Sequence, residues 1–335
     1  MRFHKYVLSG LTALAGLGMA SDALAGGRNP GSMLLYPEFD NRDGEVTLLT
    51  VTNTATSGDD VTVEFVYIGR YAECGGSGPS GPGQHSCDVN CEEFNRNAVL
   101  TPNDTLTLIT NFHNPQHEQG YVYVFAKDEA GEPMAHNYLI GNLMTIDGID
   151  KFEYSMNPVS YEGLAGDLNG NGLRDMDGDE YEQNAQEILI PRFMGQGNSY
   201  RSELIFIGLT GGAAFSTTVD FLIYNDNEEV FSSEYTFRCW DRVRLSDISG
   251  IFNNVFLRDF TDHASNEILG ASSRESGWMR MEGHHASSTS TTLVDPAIYA
   301  VLLERIGDRG AADLPFESGQ NGNGALLARS LDGSL

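Results

Sequence analysis

One pattern of strands occurs twice in this chain, and that repetition limits the fold more than any other feature. The segment LYPEF at residues 35–39 returns as LIPRF at 189–193, and VEFVY at 63–67 returns as VDFLI at 219–223. Three further pairs keep nearly the same separation: residues 46–49 with 203–206, 91–96 with 239–242, and 120–122 with 277–279. Two unrelated sets of strands with alternating apolar and polar residues would not keep a nearly constant separation between matching segments over so long a stretch. The sequence therefore predicts an internal duplication.

Each copy of the repeat is rich in strand signals and poor in helical ones. Residues 61–67 (VTVEFVY) alternate in the way typical of a half-buried strand, and polar turns such as NRDG at 41–44 separate successive runs. This pattern predicts an all-β chain of two tandem Ig-like β-sandwiches. We place the first sandwich at residues 30–150 and the second at 187–308. An acidic linker at 160–186 joins them, and a polar tail follows at 309–335.

The N-terminal residues have the three parts of a secretory signal peptide. Residues 1–5 are basic, residues 7–19 are mostly apolar, and Ala23 and Ala25 provide the small side chains that a signal peptidase prefers. We therefore predict cleavage after Ala25 and a secreted, periplasmic or cell-surface location. No later run is long and apolar enough to cross a bilayer, so we expect no membrane insertion after processing.

The charge of the chain restricts its partners. Asp and Glu number 47 against 20 Lys and Arg, which gives a formal net charge of −27. A surface of this sign repels nucleic acid and anionic lipid, so we expect no nucleic-acid partner. Outside the cell, the expected partner is a glycan or another protein.

The chain has four cysteines, Cys74, Cys87, Cys91 and Cys239. An even number in an exported chain favours disulfides over a zinc site. The simplest pairing joins Cys74 to Cys87 and Cys91 to Cys239, since Cys91 and Cys239 fall at corresponding places in the two halves. In the alternative, Cys74 pairs with Cys87 or Cys91 and Cys239 stays free.

The clearest chemical pattern in the chain lies at residues 167–179, DLNGNGLRDMDGD. Oxygen-bearing side chains alternate around Gly172, and calcium prefers about six to eight oxygen ligands on a tightly turning backbone. The candidate ligands are Asp167, Asn169, Asn171, the backbone carbonyl of Leu173, and Asp175.

Over about a dozen residues, this segment resembles the calcium loops of EF-hands, dockerin modules and thrombospondin type 3 repeats. It departs from them at the twelfth position, where Gly178 stands between Asp177 and Asp179. A second register, through Asp175, Asp177 and Asp179, is the alternative ligand set. The resemblance implies a structural calcium ion that stiffens the linker; the rest of the chain resembles only a generic secreted bacterial tandem β-sandwich protein.

No motif identifies a reaction. The chain lacks Gly-x-Ser-x-Gly, His-Glu-x-x-His and a phosphate-binding Gly-Lys-Ser/Thr sequence. Its many carboxylates do not single out a catalytic pair, so no catalytic residue is assigned. Our first hypothesis is a non-enzymatic protein with a structural, adhesive or ligand-binding role. The alternatives are an extracellular carbohydrate-active hydrolase and a carbohydrate-binding protein.

One aromatic strand bears on these alternatives. Tyr121, Tyr123 and Phe125 alternate onto a single strand face, and Trp278 takes the place of Tyr121 in the second repeat. We expect this face to be buried. If its rings were exposed instead, they could stack on a sugar ring.

Overall fold

The computed structural model describes residues 29–71, 91–148, 151–164, 175–197, 200–225, 228–259, 275–307 and 309–326. Strands make up 62% of these residues and helices 8%, so the prediction of an all-β chain is confirmed. Within these ranges, no helix has the length and apolar character needed to cross a bilayer.

The strands fall into two successive sets, which we call the first and second repeats. The first repeat contains β1 (Met33–Asp40), β2 (Glu45–Asn53), β3 (Val61–Tyr71), β4 (Glu92–Leu100), β5 (Thr105–Ile109), β6 (His117–Lys127), β7 (Leu139–Asp147), β8 (Phe152–Met156) and β9 (Val159–Tyr161). The short strand β10 (Asp175–Met176) follows.

The second repeat contains β11 (Glu187–Met194), β12 (Tyr200–Gly208), β13 (Ser216–Tyr224), β14 (Val230–Phe237), β15 (Trp240–Arg244), β16 (Ser276–Ser287), β17 (Thr292–Val294), β18 (Ile298–Ile306), β19 (Arg309–Asp313) and β20 (Phe316–Ser318). Strand β21 (Gly324–Ala325) then returns to pair with β10. Helices are short: α1 (Thr110–His113), α2 (Leu245–Ile248), α3 (Asn254–Asp259) and two 3-10 turns, Gly212–Ala214 and Gly250–Phe252.

The two repeats have the same strand order. The first has sheets β4-β3-β6-β1-β9 and β5-β2-β7-β8, and the second has β14-β13-β16-β11-β20 and β15-β12-β18-β19, with β17 added beside β16. Even the irregularities correspond, because the ladder shifts register between Tyr36 and Phe39 in β1 and between Ile190 and Phe193 in β11. Each shift contains a proline, which cannot donate a ladder hydrogen bond. The shared order and shared bulge support the duplication inferred from the sequence.

The Ig-like form of the prediction is not what the structure has. In an Ig domain the first two strands lie in one sheet, whereas β1 and β2 lie in different sheets here. The four main sheets are arranged as a propeller-like ring of four blades rather than as two Ig domains. The alternation of apolar residues is the same in either arrangement, so it identified strands without identifying their sheets.

The predicted linker and the predicted tail both include residues of strands that belong to the main sheets. Strand β9 lies at the edge of the predicted linker and pairs with β1, and β19 and β20 lie in the predicted tail and pair with β18 and β11. These strands are three to five residues long. Such short runs carry too little periodicity to be read from sequence, so only tertiary pairing defines them.

The aromatic strand β6 is buried, as expected. Tyr121, Tyr123 and Phe125 are all nearly inaccessible, and so are Val122 and Val124 on the opposite face. Strand β6 therefore lies at the centre of the first repeat, covered on both sides.

Candidate metal site

The predicted calcium loop is described only from its last ligand onward. Asp167, Asn169, Asn171 and Leu173 lie outside the described residues. Asp175 opens β10 and is directly opposite Ala325 of β21. This pairing brings the end of the predicted loop against the C-terminal part of the chain.

Three carboxylates meet immediately after this point. Asp175, Asp177 and Glu180 each offer an oxygen, and these oxygens all lie within 4.8 Å of one another. Asp175 and Glu180 are buried, while Asp177 is half-buried. At such separations two like charges repel by about 3 kcal/mol at an effective dielectric constant of 20, so this cluster is costly unless positive charge offsets it.

A tight turn creates the cluster. Gly178 has a φ of 103°, which favours glycine, and its amide donates to the carbonyl of Tyr181 at 3.0 Å. The amide of Asp179 donates to Oδ1 of Asp177 at 2.8 Å. The turn thus folds Glu180 back toward Asp175 and Asp177.

Both repeats hold this turn in place. The amide of Leu164, just beyond β9, donates to the carbonyl of Glu180, and the amide of Glu182 donates to the carbonyl of Glu162, both at 3.0 Å. The hydroxyl of Tyr161 in β9 donates to Asn184 at 2.8 Å, and Asn184 donates to the carbonyl of Ile298 in β18. The described part of this segment, residues 175–184, is therefore hydrogen-bonded to both repeats.

The cluster differs from both predicted ligand sets. It shares Asp175 and Asp177 with the second register, but Glu180 takes the third place and Asp179 contributes its backbone amide to the turn. Sequence reasoning missed Glu180 because the i, i+2 spacing assumed an extended ligand loop. The glycine at 178 was the signal for a turn that brings position 180 inward.

A second buried polar cluster lies where the repeats meet. The guanidinium of Arg242 in β15 donates to Glu38 of β1 at 3.0 Å and to Glu203 of β12 at 2.9 Å. Tyr154 of β8 donates its hydroxyl to the same Glu38. Burial, followed by the neighbouring Glu38 carboxylate, raises the pKa of Tyr154 well above its usual value. This cluster, the junction network, links strands from both repeats.

Further contacts close the junction around this network. The indole of Trp240 donates to the carbonyl of Pro37 at 2.8 Å, and Arg305 lies over the ring of Phe152 at 4.4 Å. Cys91 and Cys239 form a disulfide with Cα atoms 6.0 Å apart. The described part of the junction is therefore a packed interface, with its acidic groups paired to arginine.

The disulfide joins Cys91 to Cys239, as the simplest predicted pairing did. That prediction assumed that the two cysteines fall at corresponding places in the two repeats, and this assumption was wrong. Cys91 immediately precedes β4, whereas Cys239 lies between β14 and β15. Because β4 corresponds to β14 in the sheet order, the two cysteines are not at equivalent positions. The disulfide therefore links the two repeats at positions that do not correspond. Cys74 and Cys87 lie outside the described residues.

A pair of carboxyl groups faces across the ladder of β2 and β7. Glu45 and Asp147 are directly opposite each other. Burial, then the charges of Asp147 and Asp40, raise the pKa of Glu45 to about 7, against a smaller opposing effect of Arg42. Arg42 is bound mainly to Asp40 at 2.6 Å, and Arg305 is 3.9 Å from Asp147. Glu45 therefore holds its proton more tightly than an exposed glutamate does.

This pair predicts a specific pH dependence. Because the folded pKa of Glu45 exceeds its unfolded value, its contribution to stability is present below about pH 4.5 and is lost as the pH rises to about 7. Glutamine cannot ionise, so Glu45→Gln should avoid this loss in the free energy of unfolding, which we expect to be about 2 kcal/mol. The variant should therefore be more stable than the parent at about pH 8 and equally stable at about pH 4.5. Urea unfolding at both pH values measures the difference. Exposed Glu153→Gln is the control, and an E45Q stability difference that does not change with pH would contradict the raised pKa of Glu45.

No protein-family model, curated protein or solved structure matches this chain.

Proposed function

We propose that this chain is a secreted or cell-surface, non-enzymatic binding protein. Calcium bound at the turn of residues 175–180, which we call the acidic turn, stiffens the connection between the repeats. The observation that carries the proposal is the convergence of Asp175, Asp177 and Glu180 within 4.8 Å on a segment hydrogen-bonded to both repeats. A signal peptide cleaved after Ala25 would deliver the chain outside the cytoplasm.

The chemistry of the cluster favours calcium over softer metals. Its candidate ligands are all carboxylate oxygens, which suit hard cations, and no histidine or cysteine belongs to the cluster. A dication would convert the mutual repulsion of the carboxylates into attraction. In this proposal, Asp167, Asn169, Asn171 and the carbonyl of Leu173 remain the candidate ligands of the neighbouring loop, and Asp179 remains a candidate ligand within the turn.

One observation favours a non-enzymatic role over a hydrolase. The junction between the repeats, where a hydrolase would place its cleft, is occupied by Arg242 and its carboxylate partners.

Calcium is expected to raise the melting temperature of the mature protein by about 5 °C at a hundredfold excess over its dissociation constant. The reason is that a ligand bound only by the folded state stabilises it by about 2.7 kcal/mol under those conditions. The double variant Asp177→Asn, Glu180→Gln should lose this shift. Differential scanning calorimetry with calcium, and with a chelator, measures it.

The matched control is Asp59→Asn, which removes a charge from an exposed turn far from the cluster in sequence. This variant should keep the full calcium response. Equal melting temperatures of the parent in calcium and in chelator would refute the metal site. An equal shift in the double variant would place the ion elsewhere.

A further inference from the structure

The sheet built on β13 and β16 has an aromatic pair on its exposed face. Tyr224 and Trp278 are direct cross-strand partners, with ring centroids 4.1 Å apart and ring planes within 8° of parallel. Trp278 is 37% exposed, while the alternate residues Ile223 and Met279 are buried in the core. The two rings thus stack on each other on the outside of the second repeat, and Trp278 is the more exposed of the two.

The corresponding face of the first repeat is closed. There the partners at the same register position are Ile68 and Tyr121, and both are buried. The next position carries Tyr123 in the first repeat and Arg280 in the second. One duplicated face has therefore become part of the core, while the other combines exposed aromatic rings with charged side chains.

The surroundings of the rings are polar and mostly acidic. Arg280 binds Glu187. Asp220 lies directly opposite Glu234 of β14 and Glu282 of β16, so three carboxylates share one row of this face. Farther along the strands, His284 lies 2.9 Å from Asp220. Exposed apolar side chains extend the face on either side of this row, namely Leu222, Val230 and Phe316. Because each ring covers one face of the other, the exposed part of Trp278 is the aromatic surface that the face offers for apolar contact, with donors and acceptors beside it.

We propose that this face, the Tyr224–Trp278 face, binds a neutral polysaccharide chain; this specifies the ligand of the binding role proposed above. The apolar C–H surface of a pyranose ring fits a flat aromatic ring, whose negative face attracts it. Arg280 and Glu187 can exchange hydrogen bonds with neighbouring sugar hydroxyls, since a guanidinium donates and a carboxylate accepts.

Charge selects among the classes of ligand. The net charge of −27 repels anionic glycans, nucleic acid and anionic membranes. At the face itself Arg280 is paired with Glu187, and the carboxylates of Asp220, Glu234 and Glu282 can accept hydrogen bonds from hydroxyl groups. An uncharged ligand carrying many hydroxyl groups is therefore complementary to this face. A second copy of this chain would bring together two surfaces of the same negative sign.

The test uses the mature full-length protein and three probes, the hexamers of β-1,4-linked glucose, N-acetylglucosamine and mannose. At least one should bind in isothermal titration calorimetry and change the fluorescence of the exposed Trp278. Trp278→Ala and Tyr224→Ala should each weaken that binding by about tenfold or more. Phe112→Ala removes a ring that is 81% exposed on α1 and should leave affinity unchanged.

The alternatives give different results. Absence of binding to all three hexamers by a folded protein would overturn the proposal. So would concentration-dependent dimerisation that Trp278→Ala abolishes without any effect of sugar, because the face would then bind a second copy. Measuring binding with calcium and with chelator separates the two proposals: sugar binding without a calcium effect on melting temperature would retain this face and reject the metal site.

Discussion

Replacing Arg242 with alanine is expected to lower the free energy of unfolding by about 3 to 5 kcal/mol, because removing one partner leaves buried carboxylates without their positive charge. Glu38 is 0% exposed and Glu203 is almost as deeply buried, and both bind this guanidinium at 2.9 to 3.0 Å. Arg201 still pairs with Glu203, but Glu38 would keep only the hydroxyl of Tyr154. Equilibrium unfolding in urea measures the loss.

Arg244→Ala is the matched control for this prediction. Arg244 lies in the same strand and is 3.8 Å from the same Glu203, but its side chain is 48% exposed. Exposed ion pairs contribute about 0 to 1 kcal/mol, so the control should lose no more than that. Similar losses for the two variants would contradict a special role for the junction network.

A neutral replacement separates burial of charge from general damage to the junction. The double variant Glu38→Gln, Arg242→Met removes both charges, and buried ion pairs exchanged for neutral groups of similar size are often stable. We expect it to recover part of the stability that Arg242→Ala loses. Trp240, bound to Pro37 at the same junction, reports local opening by its fluorescence in a Trp278→Phe background.

Removing the disulfide is expected to cost about 4 kcal/mol in the double variant Cys91→Ser, Cys239→Ser. The bond spans a sequence separation of 148 residues, so its main effect is to restrict the unfolded chain. It also ties the start of β4 in the first repeat to the turn before β15 in the second. Urea unfolding of the oxidised protein and of the double variant measures the difference.

Peptide mapping without reduction checks the pairing directly. A digest should contain Cys91 linked to Cys239, and the variant Cys74→Ser, Cys87→Ser should retain that linked peptide. Cys239 recovered as a free thiol, or Cys91 linked to Cys74, would show that the junction is not bridged in this way. The pairing of Cys74 with Cys87 stays a prediction, which the same digest tests.

The acidic turn was partly visible in the sequence. Asp175 and Asp177 stood out because acids alternating with glycine are a local pattern that a short window contains in full. Glu180 joins them only through the turn at Gly178 and the pairing of β10 with β21, which a spacing rule for a single loop does not include.

The sequence alone determined that this chain is made of strands and that its pattern of strands occurs twice. Both properties are local, because alternation, β-branched residues and the proline at each bulge lie within single strands. Tertiary structure decided the rest: which sheet each strand joins, that Cys91 meets Cys239, and that Tyr121 is 3% exposed while its counterpart Trp278 is 37% exposed. The physical reason is that burial depends on what packs over a strand, and those partners come from distant parts of the chain that no local pattern specifies.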